Sequence, residues 1–171
     1  MLTVTAETSL SSSPDDAWAS LGRRATYFYF PGITRSGSGA ALDHALDLPI
    51  VDRQEQTATL SIGRAPRNGH RERRFHLRGE LVSIAGRWRL EPADGGVRVH
   101  LTLDYDIAPR LKTLAVNTLR SRSPLPIRTD ADAILSRAVD EFFETRLTEQ
   151  AADYCERLRA RLEEAKAGRP T

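Results

Sequence analysis

A chain of 171 residues and 19.0 kDa is long enough for one domain with a real core and short for two. Its 40% hydrophobic and 28% charged content excludes intrinsic disorder, and a lone cysteine, Cys155, excludes an internal disulfide. The net charge is +2 and the pI about 9.0, but the 23 acidic residues are interspersed with the basic ones, so no dense basic block marks a nucleic-acid surface.

Nothing in residues 1–10 has the positive and apolar segments of a signal peptide, and no run of about eighteen apolar residues occurs anywhere. A cytoplasmic protein is expected, with no transmembrane segment, no nucleic-acid partner and no cofactor.

Residues 2–10 alternate, with Val4, Ala6, Thr8 and Leu10 on one side, which predicts a half-buried strand. A helix start follows: Ser13 can cap, Pro14 suits the first helical position, and Asp15 and Asp16 meet the positive end of the dipole. Trp18 and Leu21 give that short helix its buried side, and a second short helix is expected over 23–29, before Pro31-Gly32.

Strands and turns are expected from 33 to 107. The expected strands are 43–50, 57–63, 73–78, 80–92 and 97–107, with an Asn68-Gly69 hairpin turn between the second and third. The inward set should include Leu60, Ile62, Val82, Ile84, Trp88, Leu90, Val99, Leu101 and Leu103. Hairpin-linked strands with one apolar face describe an antiparallel sheet with one wet side.

After Pro109 the spacing of Leu111, Leu114, Ala115, Thr118 and Leu119 is helical, and Pro124 and Pro126 must break that helix. The segment 110–127 is read either as a mobile cover over a cavity mouth or as a helix packed permanently outside. Thr129 or Asp130 then caps a long helix to about residue 165, with Leu135, Val139, Phe142, Phe143, Leu147, Ala151, Tyr154, Leu158 and Leu162 as its stripe. Residues 1–167 are read as one ligand-binding domain and 168–171 as a frayed tail.

The whole is α+β: a curved antiparallel sheet of about six to seven strands wrapped on a long C-terminal helix, with two short helices after strand one. Ser13-Pro14-Asp15-Asp16-Ala17-Trp18 after the first strand resembles the START-like helix-grip superfamily, SRPBCC. Gly86-Arg87-Trp88-Arg89-Leu90-Glu91-Pro92, followed by Gly95-Gly96-Val97, is similar to its polyketide cyclase/dehydrase and lipid-transport-like branch. That resemblance implies a hydrophobic-ligand cavity between sheet and C-terminal helix. It implies no particular reaction, since the superfamily includes enzymes, carriers and receptors.

No nucleotide-binding glycine pattern is present. The four histidines, His44, His70, His76 and His100, are scattered without metal-ligand spacing, and Ser11 to Ser13 lack a nucleophile elbow. The residues that carry an expectation are polar or amphipathic ones aimed inward. Trp88 and Tyr105 share the apolar parity of their strands. Leu101, Leu103 and Phe142 line the same interior. Arg146 falls four after Phe142, and Gln150 four further on. Arg146 is expected to hold a ligand oxygen, or else to reach an edge of the helix. Two functions stand open: binding or transport of a lipid, isoprenoid or polyketide-like molecule, and a cofactor-free cyclase or aromatase. The latter would use Tyr105, Arg146 and His76 for positioning and proton transfer.

Overall fold

The computed structural model describes residues 1–35, 39–64, 72–122 and 130–168. The expected Asn68-Gly69 turn, the Pro124/Pro126 break, the Thr129 cap and the tail beyond 168 lie outside the described residues.

Seven strands form one antiparallel sheet in the order β1-β7-β6-β5-β4-β3-β2. They are β1 Leu2–Leu10, β2 Ile33–Arg35, β3 Ala41–Leu46, β4 Gln54–Ile62, β5 Glu72–Gly79, β6 Val82–Ala93 and β7 Gly96–Ile107. Each of β2 to β7 is adjacent to its sequence neighbour, and β1 closes the order by pairing Leu2 with Tyr105 through Leu10 with Val97. The first helix, α1 Pro14–Leu21, starts where the sequence placed it, with Ser13 Oγ accepting from the Asp16 N–H at 3.2 Å. The second short helix, Arg24–Tyr29, is a 3₁₀ helix. The last two helices are α2 Pro109–Arg122 and α3 Ala131–Ala167, preceded by Asp130 as N-cap. At 37 residues α3 runs roughly 55 Å, enough to cross the whole sheet.

The alternation in β6 and β7 holds residue by residue. Val82, Ile84, Trp88, Leu90, Val99, Leu101 and Leu103 are buried on the inner face, while Arg87, Arg89 and Arg98 stand on the solvent face. Ile62 is only partly buried, at the end of β4. Gly86 has a packing reason. It sits opposite Phe75, and a Cβ there would fall 2.0 Å from Phe75 Cζ, so the ring lies over the glycine and reaches Trp88 at 6.1 Å between centroids. Trp88 meets Tyr154 of α3 at 5.6 Å, and Tyr154 meets Phe30 at 5.0 Å. This aromatic chain fills the middle of the molecule from sheet to helix.

One expectation for α3 is corrected. Leu135, Val139, Phe143, Leu147, Ala151, Tyr154 and Leu158 are buried, joined by Cys155, but Phe142 is 50% exposed. At about 100° per residue, Phe142 lies roughly 120° from the middle of that stripe while Phe143 lies within it. Only one of two adjacent phenylalanines can face the sheet. Burial pushes the Cys155 thiol up to about 12, so it stays protonated.

Candidate functional site

The interior between the sheet and α3 is nearly full. Two voids among the described residues there measure about 10 Å³ each, room for about one water apiece. Among the described residues, Trp88, Tyr105, Phe143 and Tyr154 are fully packed where a ligand-sized gap was expected.

The two voids differ in chemistry. One is wholly apolar, walled by Tyr27, Phe30, Phe75 and aliphatic residues of β2 to β6. The other lies where β3 and the following residues meet α3. Its apolar walls are Phe30, Leu46, Leu48, Val82, Ile107 and Leu147, and its polar members are His44, Asp47, Tyr105 and Gln150. Tyr105 is 2% exposed, and its hydroxyl has no hydrogen-bond partner among the described residues. Burial raises its pKa well above the ordinary tyrosine value, so the group is a neutral O–H donor.

His44 is the residue the sequence did not single out. Its position in β3 turns it inward, 4% exposed, beside the edge of the Phe30 ring. Burial lowers its pKa to about 4. Gln56, directly opposite it on β4, approaches His44 Nδ1 at 3.2 Å through Nε2. The only hint in the sequence was parity: His44 alternates with Leu42 and Leu46, which are both buried.

Arg146 and Gln150 sit beside this void, with their polar ends directed outward. The Arg146 side chain is 41% exposed and pairs with Asp47 and, at 3.2 Å, with Glu149. Gln150 Nε2 donates to the Asp47 carbonyl at 3.0 Å. Of the two placements expected for Arg146, the structure shows the one at an edge of the helix. On the phase of α3 it lies at the margin of the buried stripe, and there an ionised guanidinium finds a carboxylate in solvent more cheaply than in the interior. Both side chains tie the chain after β3 to α3 at the rim of an open, charged groove of about 520 Å³. The next residues turn sharply, with Ile50 held at φ 76°, a region β-branched side chains rarely enter.

The other expected site residues separate. Trp88, Leu101 and Leu103 are packed in the core and line neither interior void. Phe142 faces outward. His76, expected as a proton carrier, is exposed on the outer face of β5. His100 also lies on the outer sheet face, 3.3 Å from Glu7 and 3.2 Å from Glu91 in a groove of about 530 Å³. Of the expected set, Tyr105 and Gln150 meet at one void, and His44 joins them.

Helix α2 packs on α3 with Leu111 and Ala115 buried, and Lys112 bonds Asp140 at 2.6 Å. Among the described residues no group of acidic, histidine or cysteine side chains is arranged to hold a metal ion, and no helix is long and apolar enough to cross a membrane.

No family model matches the chain, and no curated protein matches it. Solved structures do. TTHA0849 from Thermus thermophilus superposes with a TM-score of 0.53 at 16% identity, over 92% of this chain and 97% of that one. Ara h 8.0201 gives 0.41 at 14% identity, over 86% and 97%. The di-domain ARO/CYC StfQ from the steffimycin biosynthetic pathway gives 0.41 at 17% identity, over 85% of this chain and 52% of that one. What the TTHA0849 superposition establishes is the fold. The seven-stranded sheet curled on a C-terminal helix, with short helices after β1, is a helix-grip arrangement.

Proposed function

We propose that this helix-grip protein binds or carries a small hydrophobic molecule, of lipid, isoprenoid or polyketide-like character, between the sheet and α3. The observation that carries the reading is the buried Tyr105 hydroxyl, without a partner among the described residues, on a side chain that lines a void. A buried unpaired hydroxyl costs on the order of 1–3 kcal/mol, and a ligand oxygen placed against it recovers that loss. A void of about 10 Å³ admits no such ligand, so binding needs an opening. The weakest wall supports one. Residues 47–53 carry no regular pairing until β4 begins at Gln54, and Asp47 is held to α3 by side chains in solvent.

A cyclase or dehydratase acting by positioning and proton transfer is the second reading. It is favoured by one observation, that two titratable side chains, His44 and Tyr105, border the same void. In that reading the void would hold a reacting carbonyl, and product formation from a β-diketone would be lost in His44→Phe.

Calorimetric titration with dodecanoic acid, farnesol and 2-acetonaphthone tests the binding reading. Saturable one-to-one binding of at least one probe is expected, weakened in Tyr105→Phe. Absence of saturable binding across the panel, or full affinity in Tyr105→Phe, contradicts it.

A further inference from the structure

We infer that His44 and Tyr105 form a two-donor seat for one uncharged carbonyl oxygen, which makes the ligand a ketone-like apolar molecule rather than a carboxylate. This rests on the reading of the interior as a ligand site and adds the polar chemistry of what occupies it.

The argument begins at Gln56, whose amide orientation is set by main-chain atoms. Its Oε1 accepts from the Leu81 N–H at 2.8 Å and the Val82 N–H at 3.1 Å, so the other terminus must be the NH₂ group. Nε2 donates one hydrogen to the Val82 carbonyl at 2.8 Å and directs the other at His44 Nδ1, 3.2 Å away. Gly79 makes the arrangement possible, since a Cβ there would lie 2.3 Å from the Gln56 amide.

Nδ1 therefore has to offer a lone pair, and the imidazole proton sits on Nε2. A protonated ring would set an N–H against the Gln56 N–H, and burial already holds His44 neutral at pH 7. Among the described residues the Tyr105 hydroxyl is buried without a partner, and Nε2–H is the ring donor that Gln56 leaves free. Two neutral donors thus border one small apolar-walled void. A carbonyl oxygen has two lone pairs and can take both.

The charges nearby argue against an anion. Arg146 is turned outward and occupied by Asp47 and Glu149, and the Asp47 carboxylate is itself 70% exposed, so no cation among the described residues faces the void. A carboxylate entering here would leave water without a counter-ion.

The discriminating probes are 2-acetonaphthone, its near-isostere 2-ethylnaphthalene, which has a methylene in place of the carbonyl, and 2-naphthoate. At pH 7 the ketone should bind at least roughly tenfold tighter than either of the others. His44→Phe and Tyr105→Phe should each lower ketone affinity about five- to tenfold and leave 2-ethylnaphthalene unchanged. A readout independent of those variants is the ¹H–¹⁵N spectrum of His44 in the intact protein. It should show the proton on Nε2, shifting when the ketone is added and not when the hydrocarbon is. Equal binding of ketone and hydrocarbon, tighter binding of 2-naphthoate, or a proton on Nδ1 overturns the carbonyl seat while sparing the interior site. Failure of all three probes to bind removes the interior site itself.

Discussion

Arg146 on α3 reaches the carboxylate of Asp47, just past β3, and the two close the rim above the void that Tyr105 lines. With Gln150 holding the Asp47 carbonyl one helical turn further on, α3 grips that rim through two solvent-facing contacts. Exposed pairs of this kind contribute at most about 1 kcal/mol, which suits a latch better than a structural strut.

Arg146→Met should lower global stability by less than about 1 kcal/mol, because its partners remain solvated. Hydrogen exchange across residues 47–53 should speed up, and ligand association should speed up with it. Equilibrium affinity for an uncharged ligand should stay near that of the parent protein. Stopped-flow binding combined with exchange measurements checks this, and a large affinity loss with unchanged exchange would place Arg146 on the ligand instead.

Helix α2 offers the competing gate. Leu111 and Ala115 are buried and Lys112 is bonded to Asp140 at 2.6 Å, so α2 should exchange as slowly as α3. Protection over 111–119 that equals α3 with and without ligand assigns gating to residues 47–53. Faster exchange in α2 that slows on ligand addition assigns it to α2.

Stability should depend on pH through His44. Its pKa is about 4 in the folded protein and near 6.5 when unfolded, so between those values the unfolded chain binds more protons. Stability is then fully present above about pH 6.5 and falls as pH drops toward 4, by roughly 3 kcal/mol at most. Urea unfolding at pH 7.5 and 5.0 should show that loss in the parent protein and a smaller one in His44→Phe.

Gln56 and Gly79 should behave as one unit. Gln56→Leu strands the Leu81 and Val82 N–H groups, for a cost of roughly 2–4 kcal/mol. Gly79→Ala displaces the same amide and should cost about 1–3 kcal/mol alone. In the double variant the Gly79→Ala cost should largely vanish, because the atoms it collides with are altered. Additive losses in chemical denaturation would mean that the two residues act separately.

Gly86→Ala should be damaging for a different reason. Its new Cβ meets the Phe75 ring at 2.0 Å, deep in a packed interior, and the ring can move only by disturbing Trp88. A loss of about 1–3 kcal/mol is expected, accompanied by a changed near-ultraviolet dichroism from Trp88.

The order of elements was legible because the β6 and β7 alternation and the α3 stripe are long and regular, and one face of each is buried. The short strand β2 was not separated out, since three residues carry no period. Phe142 was placed inward because two adjacent aromatics both lie near a stripe whose phase drifts along 37 residues. The site was less legible than the fold. Tyr105 followed from parity alone, but parity placed it without showing that its hydroxyl lacks a partner. Arg146 and Gln150 were read from helical spacing, which locates a side chain near a margin and leaves open which way its end turns. His44 could not be weighed, because its partner Gln56 belongs to the next strand and the hydrogen bonds that orient Gln56 come from the turn after β5. Filling of the interior was also beyond a sequence reading: the same apolar residues describe an open cup or a closed one, depending on how Trp88 and Tyr154 meet.

The central claim, that an apolar molecule enters between sheet and α3 and contacts Tyr105, is tested most directly by methyl-selective NMR during titration with 2-acetonaphthone. Saturable shifts should concentrate on Leu46, Leu48, Val82, Ile107 and Leu147, the methyls around the Tyr105 void, and should weaken in Tyr105→Phe. Shifts confined to surface methyls such as Leu114 and Ile134, with those five unmoved at saturation, would contradict it.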